Sequence, residues 1–365
     1  MSAPQLIIGL MSGTSLDGVD AALVDFAHAK PRLRASAYLP YSEALREEIL
    51  LLHESRADEL HHSLRLANRL AQTYARAVQE LLATAGVPAS AVRAIGCHGQ
   101  TLRHQPEQGY SLQLNNPALL AELSGIAVIA DFRSRDIAAG GQGAPLVPAF
   151  HEAVFRDRAS HRVILNLGGI ANLTDLAPDK PTLGFDCGPG NMLLDAWSRL
   201  HLDQPYDEGG NWAASGKVLP QLLGRLLAHA FFALQPPKSC GREQFNLGWL
   251  NSCLAGDEEP SNVQATLLEL TVVGVKQALT YARGVPSEIY VCGGGAHNAT
   301  ALQRLQVLLP NTGVATTEAL GLPPDWVEAI AFAWLAQRTL AGLAGNLPAV
   351  TGARGPRVLG AIYPA

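Results

Sequence analysis

Leu6-Ile7-Ile8-Gly9-Leu10-Met11-Ser12-Gly13-Thr14-Ser15-Leu16-Asp17-Gly18-Val19-Asp20-Ala21-Ala22-Leu23-Val24-Asp25-Phe26 sets two apolar runs around a turn of Gly, Ser, Thr and Asp. That pattern reads as a β-hairpin. Its turn carries glycines and small side chains, so backbone N–H groups can approach a ligand closely. Rows of such groups form anion-binding concavities, to which the hydroxyls of Ser12, Thr14 and Ser15 add donors. A phosphate is the natural guest of such a turn.

About 155 residues later the outline returns in His161-Arg162-Val163-Ile164-Leu165-Asn166-Leu167-Gly168-Gly169-Ile170-Ala171-Asn172-Leu173-Thr174. Two such hairpins in one chain suggest a duplicated βββαβα domain. The segments between them fit an α/β class. A third strand is expected around Arg34 to Leu39. Leu60, Leu64, Ala67, Leu70, Tyr74, Ala77 and Leu81 recur at three- and four-residue steps and mark one apolar helix face. Gly86-Val87-Pro88 stops that helix. Val92 to Cys97 reads as a buried strand, Asn115-Asn116-Pro117 opens a helix through Leu123, and Ile126 to Ala130 is a further strand. In the second half a strand ending at Asp186 precedes a helix over Met192 to Leu200, and Ser287 to Cys292 runs into Gly293-Gly294-Gly295. The boundary between the halves is expected in the Gly-rich region near residues 131–145.

Composition narrows the function classes. The 365 residues are 48% hydrophobic and 16% charged, with 35 Gly and 23 Pro, the profile of a compact chain with many turns. A net charge of −5 without a basic block argues against nucleic-acid binding. Five scattered cysteines form no C-x-x-C pair, which disfavours a disulfide framework or a zinc site. No run approaches the ~20 apolar residues of a membrane helix, and no signal peptide is visible. A soluble, cytoplasmic protein is expected.

Asp186 is the leading chemical candidate, because a carboxylate at a strand end in an α/β sheet can serve as a general base. A helix-capping role would explain it equally simply. Gly293 to Gly295 could admit a nucleotide to the backbone, but they lack the G-x-G-x-x-G spacing, and the first hairpin lacks a P-loop ending. Arg133 and Arg135, beside the loop Gly140 to Pro145, could clamp a carboxylate or simply be solvated. Cys97 and His98, adjacent on a strand, point to opposite faces, so His98 with Gln100 suits polar ligand contacts better than a nucleophile pair. His61-His62 reads as surface. Glu328 lies at the start of a helix, where the helix dipole favours a carboxylate.

With these pieces in place, the chain resembles the anhydro-N-acetylmuramic acid kinase family of the sugar kinase/actin superfamily over essentially its whole length. The resemblance rests on Gly9 to Asp20, His98 with Gly99-Gln100-Thr101, Ala130-Asp131-Phe132-Arg133, Gly141 to Pro148, Asn166 with Gly168-Gly169, Phe185 to Asn191, Lys238-Ser239 with Gly241-Arg242-Glu243, Phe245-Asn246, and Cys292 to Gly295. It implies two actin-like, ribonuclease-H-like domains, residues 1–130 plus 351–365 and residues 131–350, with an interdomain cleft. It further implies an ATP-dependent kinase of cell-wall recycling and amino-sugar catabolism. Such an enzyme opens the 1,6-anhydro ring of 1,6-anhydro-N-acetylmuramic acid with water and phosphorylates it to N-acetylmuramic acid 6-phosphate, using Mg²⁺ and acting as a homodimer. Gly13, Thr14, Ser15, Leu16, Asp17, Gly18, Val19 and Asp20 would then hold the ATP phosphates with Asn166, Gly168 and Gly169. Gly293, Gly294 and Gly295 would lie near the adenosine. Asp186 would be the base, Glu328 would help position the water, Arg133 or Arg135 would meet the lactyl carboxylate, and His98 and Gln100 the sugar. A kinase of another sugar, or a nucleotide-dependent sensor without turnover, are the competing readings.

Overall fold

The computed structural model describes residues 4–13, 15–28 and 30–365. Both expected hairpins form. β1 (Leu6–Met11) and β2 (Gly18–Asp25) pair antiparallel, with Met11 opposite Asp20. β3 (Arg32–Pro40) lies antiparallel on the far side of β2. β4 (Val92–Cys97) returns parallel to β1, after the helix Glu59–Ala85. A small hairpin of β5 (Gln100–Gln105) and β6 (Tyr110–Leu114) follows, and β7 (Val128–Ala130) adds parallel to β4. In the second half, β8 (Arg162–Leu167), β9 (Ile170–Leu176) and β10 (Leu183–Pro189) form an antiparallel meander. β11 (Glu288–Cys292) pairs parallel with β8, and β12 (Gly313–Thr316) parallel with β11. β13 (Ala361–Tyr363) closes the first sheet antiparallel to β7.

The two large sheets, β13-β7-β4-β1-β2-β3 and β10-β9-β8-β11-β12, share one plan. Three antiparallel strands carry the hairpin, and helical crossovers then add parallel strands on the other side of the first. This is the ribonuclease-H-like topology, present twice. Each copy has its own hydrophobic core, one centred on Ile8, Leu70 and Ile95, the other on Leu165, Leu267 and Val291.

The chain divides into two compact units, Met1–Phe150 with Trp326–Ala365, and His151–Asp325. The first crossing lies later than the Gly-rich stretch at residues 131–145, and the return lies earlier than residue 351. Two features of the first unit account for this. Asp136, fully buried in the helix Ser134–Ala138, accepts hydrogen bonds from Asn346 Nδ2 at 2.6 Å and Thr351 Oγ1 at 2.8 Å, which ties the Gly-rich loop to the C-terminal segment. The helix Val327–Leu340 lies directly on β1 and β4. Gly9 and Gly96 sit side by side on those strands. A Cβ at Gly9 would fall 1.8 Å from the Ala329 carbonyl oxygen, and one at Gly96 would fall 2.2 Å from that of Phe332. Only a paired glycine saddle lets this helix so close.

One expectation fails at a helix start. Leu60 and Leu64, read as part of the buried stripe, are 75% and 60% exposed, and burial begins at Leu66. The 27-residue helix is about 40 Å long, whereas the eight residues of β2 reach about 27 Å. The first two turns therefore outrun the sheet.

Candidate active site

In the second unit, β10 presents Asp186 at a break in register. Asp186 stands opposite Asn172 and Gly188 opposite Ala171, leaving Cys187 as an extra residue. Such bulges re-aim a neighbouring side chain. Asp186 N donates to the Lys238 carbonyl at 3.1 Å, and Cys240 N donates to Asp186 Oδ2 at 2.9 Å. Burial pushes the carboxyl up to about 6, against the Cys240 N–H and the Lys238 ammonium, which both favour the charged form. The side chain keeps partial solvent access. A carboxylate of this kind is ionised at neutral pH yet basic enough to take a proton.

The second hairpin turns on Gly168 and Gly169, whose carbonyls are tied to the start of the helix Asn191–Leu202. Asn191 N donates to Gly168 O at 2.8 Å and Gly190 N to Gly169 O at 2.9 Å, while Asn191 Nδ2 donates to Leu167 O at 2.9 Å. A Cβ at either glycine would meet nothing nearer than 3.6 Å, so the fold itself does not require glycine there. Gly293 differs, because it has φ +78° and its Cβ would fall 2.3 Å from Asn166 Oδ1. That oxygen is buried without a hydrogen-bond partner among the described residues. Cys292 pairs with Asn166 in the parallel ladder. Asn166, Gly168, Gly169 and Gly293 to Gly295 thus gather at the carboxyl ends of β8 and β11, where α/β sheets collect ligands. Asn191 belongs with them, and its backbone bond to Gly168 is what a reading of the hairpin alone could not reveal.

In the first unit the hairpin turn is held from within. Leu16 N donates to Gly13 O at 3.4 Å, Gln100 Nε2 to the same oxygen at 3.1 Å, and Ser15 Oγ to Asp17 Oδ1 at 2.7 Å. Thr14 lies outside the described residues. Ser12 does not offer its hydroxyl to a ligand, because it faces the core, donating to Gly99 O at 3.0 Å and meeting Tyr74 Oη at 2.9 Å. Leu16 and Val19 are also buried, which leaves only their backbone for ligand contact, and Gly18 lets β2 approach Leu39. Asp17 and Asp20 act on the same neighbour. With burial, they push the Tyr38 hydroxyl up to about 12.

His98, Gln100, Arg133 and Glu328 form a second constellation in this unit. Arg133 Nη2 is 2.8 Å from His98 Nε2, and Arg133 Nη1 donates to Gly143 O at 2.7 Å. A guanidinium has no acceptor, so His98 Nε2 accepts and the neutral ring carries its proton on Nδ1. Burial and the Arg133 charge hold the imidazole down at about 3. Burial also pushes the Glu328 carboxyl up while Arg133 pulls it back. Four buried polar atoms lack partners among the described residues: His98 Nδ1, Gln100 Oε1, Arg133 Nε and Asn115 Oδ1. Asn115 lies apart from His98, since its Nδ2 donates to Cys97 Sγ at 3.1 Å. Unpaired buried groups cost on the order of 1–3 kcal/mol each, so a ligand that accepts from His98 Nδ1 and Arg133 Nε suits this cluster. Asn115 was missed by the sequence reading. The available signal was the Asn115-Asn116-Pro117 triplet, in which one asparagine caps the helix, through the Asn116 Oδ1 bond to Leu119 N at 3.1 Å, and the other donates to Cys97 Sγ at 3.1 Å. Arg135 is not part of the cluster. It is exposed and lines a cavity of about 410 Å³ with Asp131, Pro356 and Arg357.

A family model described as anhydro-N-acetylmuramic acid kinase matches residues 5–365. Proteins of that description resemble the chain along nearly all of both sequences. The one from Nitrosospira multiformis is 57% identical over 360 residues, 98% of each chain. That from Thiobacillus denitrificans is 56% identical over 362 residues, 98% of this chain and 97% of its own. That from Variovorax paradoxus is 56% identical over 376 residues, with both chains covered completely.

Proposed function

The chain belongs to the anhydro-N-acetylmuramic acid kinase family and is a sugar kinase; from that premise we propose how its residues carry the reaction. Asp186 takes a proton from a water that attacks the anomeric carbon of 1,6-anhydro-N-acetylmuramic acid. The bond between that carbon and O6 breaks, and its electron pair goes to O6. O6 then attacks the γ-phosphorus of ATP and ADP leaves. The products are N-acetylmuramic acid 6-phosphate and ADP, with the proton passed from Asp186 to solvent. The observation that carries this reading is the bulge in β10 at Asp186, where burial and a single backbone N–H leave a carboxyl near 6. Positioning such a base contributes on the order of 10²–10⁴-fold.

Gly13 to Asp20 of the first unit, and Asn166, Gly168 and Gly169 of the second, hold the phosphates, with Gly293 to Gly295 near the adenosine. Phosphoryl transfer asks the protein mainly for such positioning and charge stabilisation. Among the described residues no group of three or more His, Cys, Asp or Glu could cage a metal ion. Mg²⁺ is commonly held by one or two carboxylates together with substrate phosphates. Asp17, just before β2, and Asp20 within it flank the phosphate turn and would be the carboxylates to hold it. Bound there, the ion would neutralise charge on the phosphates. His98 and Gln100 meet the sugar's hydroxyl and amide groups, Arg133 its carboxylate, and Glu328 helps position the water. We place the enzyme in the cytoplasm as a homodimer.

The test is mass spectrometry of the product formed in ¹⁸O-water, quenched early and reduced with borohydride before the anomeric oxygen exchanges. Label on the former anomeric oxygen with none bridging to phosphorus is the expected result. An unlabelled product means that water does not open the ring and sinks the role of Asp186.

A further inference from the structure

The segment Lys238–Cys240 grips Asp186 from both ends. The Lys238 carbonyl accepts from Asp186 N at 3.1 Å, and Cys240 N donates to the carboxylate at 2.9 Å. The lysine side chain is itself seated. Its Nζ lies 4.5 Å from the centre of the Phe231 ring and 5.6 Å from that of Tyr281, and it donates to the Phe231 carbonyl at 3.5 Å. An ammonium over aromatic faces keeps its charge while losing freedom of movement. Among the described residues no carboxylate stands within ion-pair distance of Nζ, so no acidic partner neutralises it.

Three titratable groups lie in the field of this charge: Asp186, Cys187 and Cys240. Glu243 acts in turn on Cys240. Burial pushes both thiols far up, so they stay protonated and neutral. Asp186 is the one group of the three that changes charge in the working range.

We propose that Lys238 is a positioning residue for Asp186: its ammonium, parked on Phe231 and Tyr281, keeps the carboxylate ionised while the backbone on either side aims it. The inference rests on Asp186 acting as the base. It predicts a charge effect across a gap, weaker than that of a contact ion pair. An opposite charge in contact lowers a carboxyl by roughly 1–3 units, and partial solvent access reduces that.

The test compares kcat and KM across pH for Lys238→Met, Lys238→Arg and the wild type, with Asp186→Asn run alongside. In Lys238→Met the acidic limb of kcat should move to higher pH by about 0.5–1 unit, because a base without its cation is protonated more easily. Activity at pH 6 should fall roughly threefold, both KM values should hold, and Lys238→Arg should restore the limb. An unmoved limb overturns the proposal. So does a tenfold rise in either KM with the limb in place, which would make Lys238 a substrate contact. Should Lys238→Met not fold, Lys238→Gln gives the same readout with a polar chain. Activity retained in Asp186→Asn would instead remove Asp186 as the base. Activity lost there, with Lys238→Met like wild type, removes the role of Lys238 alone.

Discussion

Each unit carries a carboxyl group that burial pushes upward, and the two are restrained differently. Asp186 sits on a bulged strand with a backbone N–H on one oxygen and an ammonium nearby. Glu328 rides on the second residue of a helix whose height is set by the Gly9–Gly96 saddle, and Arg133 is the charge that draws it back. No hydrogen bond to the Glu328 side chain occurs among the described residues. The first arrangement aims a base and leaves it titratable. The second fixes a charge through the packing of a whole helix. The contrast extends to the glycines. In the first unit they lie in the strands beneath the helix, whereas in the second Gly274 lies in the helix Pro260–Ala278, where a Cβ would come 3.0 Å from the Cys187 carbonyl.

The most forceful way to break this comparison is to fill both glycine contacts. Gly96→Ala would drive a Cβ to 2.2 Å from a backbone oxygen that cannot swing aside. Its cost should reach or exceed the upper end of the ~1–3 kcal/mol typical of overpacking. Gly274→Ala needs a shift of only tenths of an ångström and regains roughly 1 kcal/mol of helix propensity. Urea midpoints of the two variants should therefore differ widely, with Gly96→Ala far the less stable. Equal losses would mean that the saddle does not set the helix.

Next in size is the chemical contrast. Asp186→Asn should lose turnover by about 10²–10⁴-fold, and Glu328→Gln should lose less, since it positions rather than accepts a proton. A stability readout separates the two ideas about Asp186. Its carboxyl is raised from 3.8 to about 6 in the folded protein, so the native state disfavours its charged form. That penalty is absent below about pH 4, grows between about pH 4 and 6, and is constant above. Asp186→Asn should thus melt higher than wild type at pH 8, with the gap closing towards pH 4. A variant less stable than wild type at pH 8 would mean that the carboxylate holds the segment Lys238–Cys240 in place rather than being held by it.

How far the sequence revealed this pattern depends on the distance over which each cause acts. Both hairpins and the helix stop at Gly86 were legible because their signals are local: apolar alternation, a small-residue turn, a Gly at the helix end. The strand expected to end at Asp186 instead runs on to Pro189, because the bulge at Cys187 lets Gly188 and Pro189 keep pairing with β9. The equivalence of the two sheets followed from the echo of Leu6 to Phe26 in His161 to Thr174. Gly9 and Gly96 carried no such signal, since the backbone they accommodate lies more than two hundred residues downstream. The inward turn of Ser12 depends on Tyr74, from a helix that the hairpin sequence does not mention. Arg133 and Arg135, two residues apart, looked interchangeable, yet the roughly half turn between them at the helix start separates a partner of His98 from an exposed side chain.

The smallest expected effect is the sharpest test of the second hairpin. Gly169 adopts no left-handed backbone, and a Cβ there would touch only the Met192 Cβ, at 3.8 Å. Alanine restricts the unfolded chain, so Gly169→Ala should leave stability unchanged or raise it by up to about 0.4–1 kcal/mol. If the turn instead exists to let phosphate oxygens reach its N–H groups, the same methyl group blocks them. The expected result is a several-fold rise in KM for ATP at unchanged KM for the sugar, from a protein that is no less stable. Gly293→Ala cannot separate the two roles, because its Cβ meets Asn166 Oδ1 at 2.3 Å in a backbone conformation that alanine resists. A Gly169→Ala variant with wild-type KM for ATP would leave the second hairpin as a structural turn and, within the second unit, place nucleotide recognition on Asn166 and the Gly293 segment.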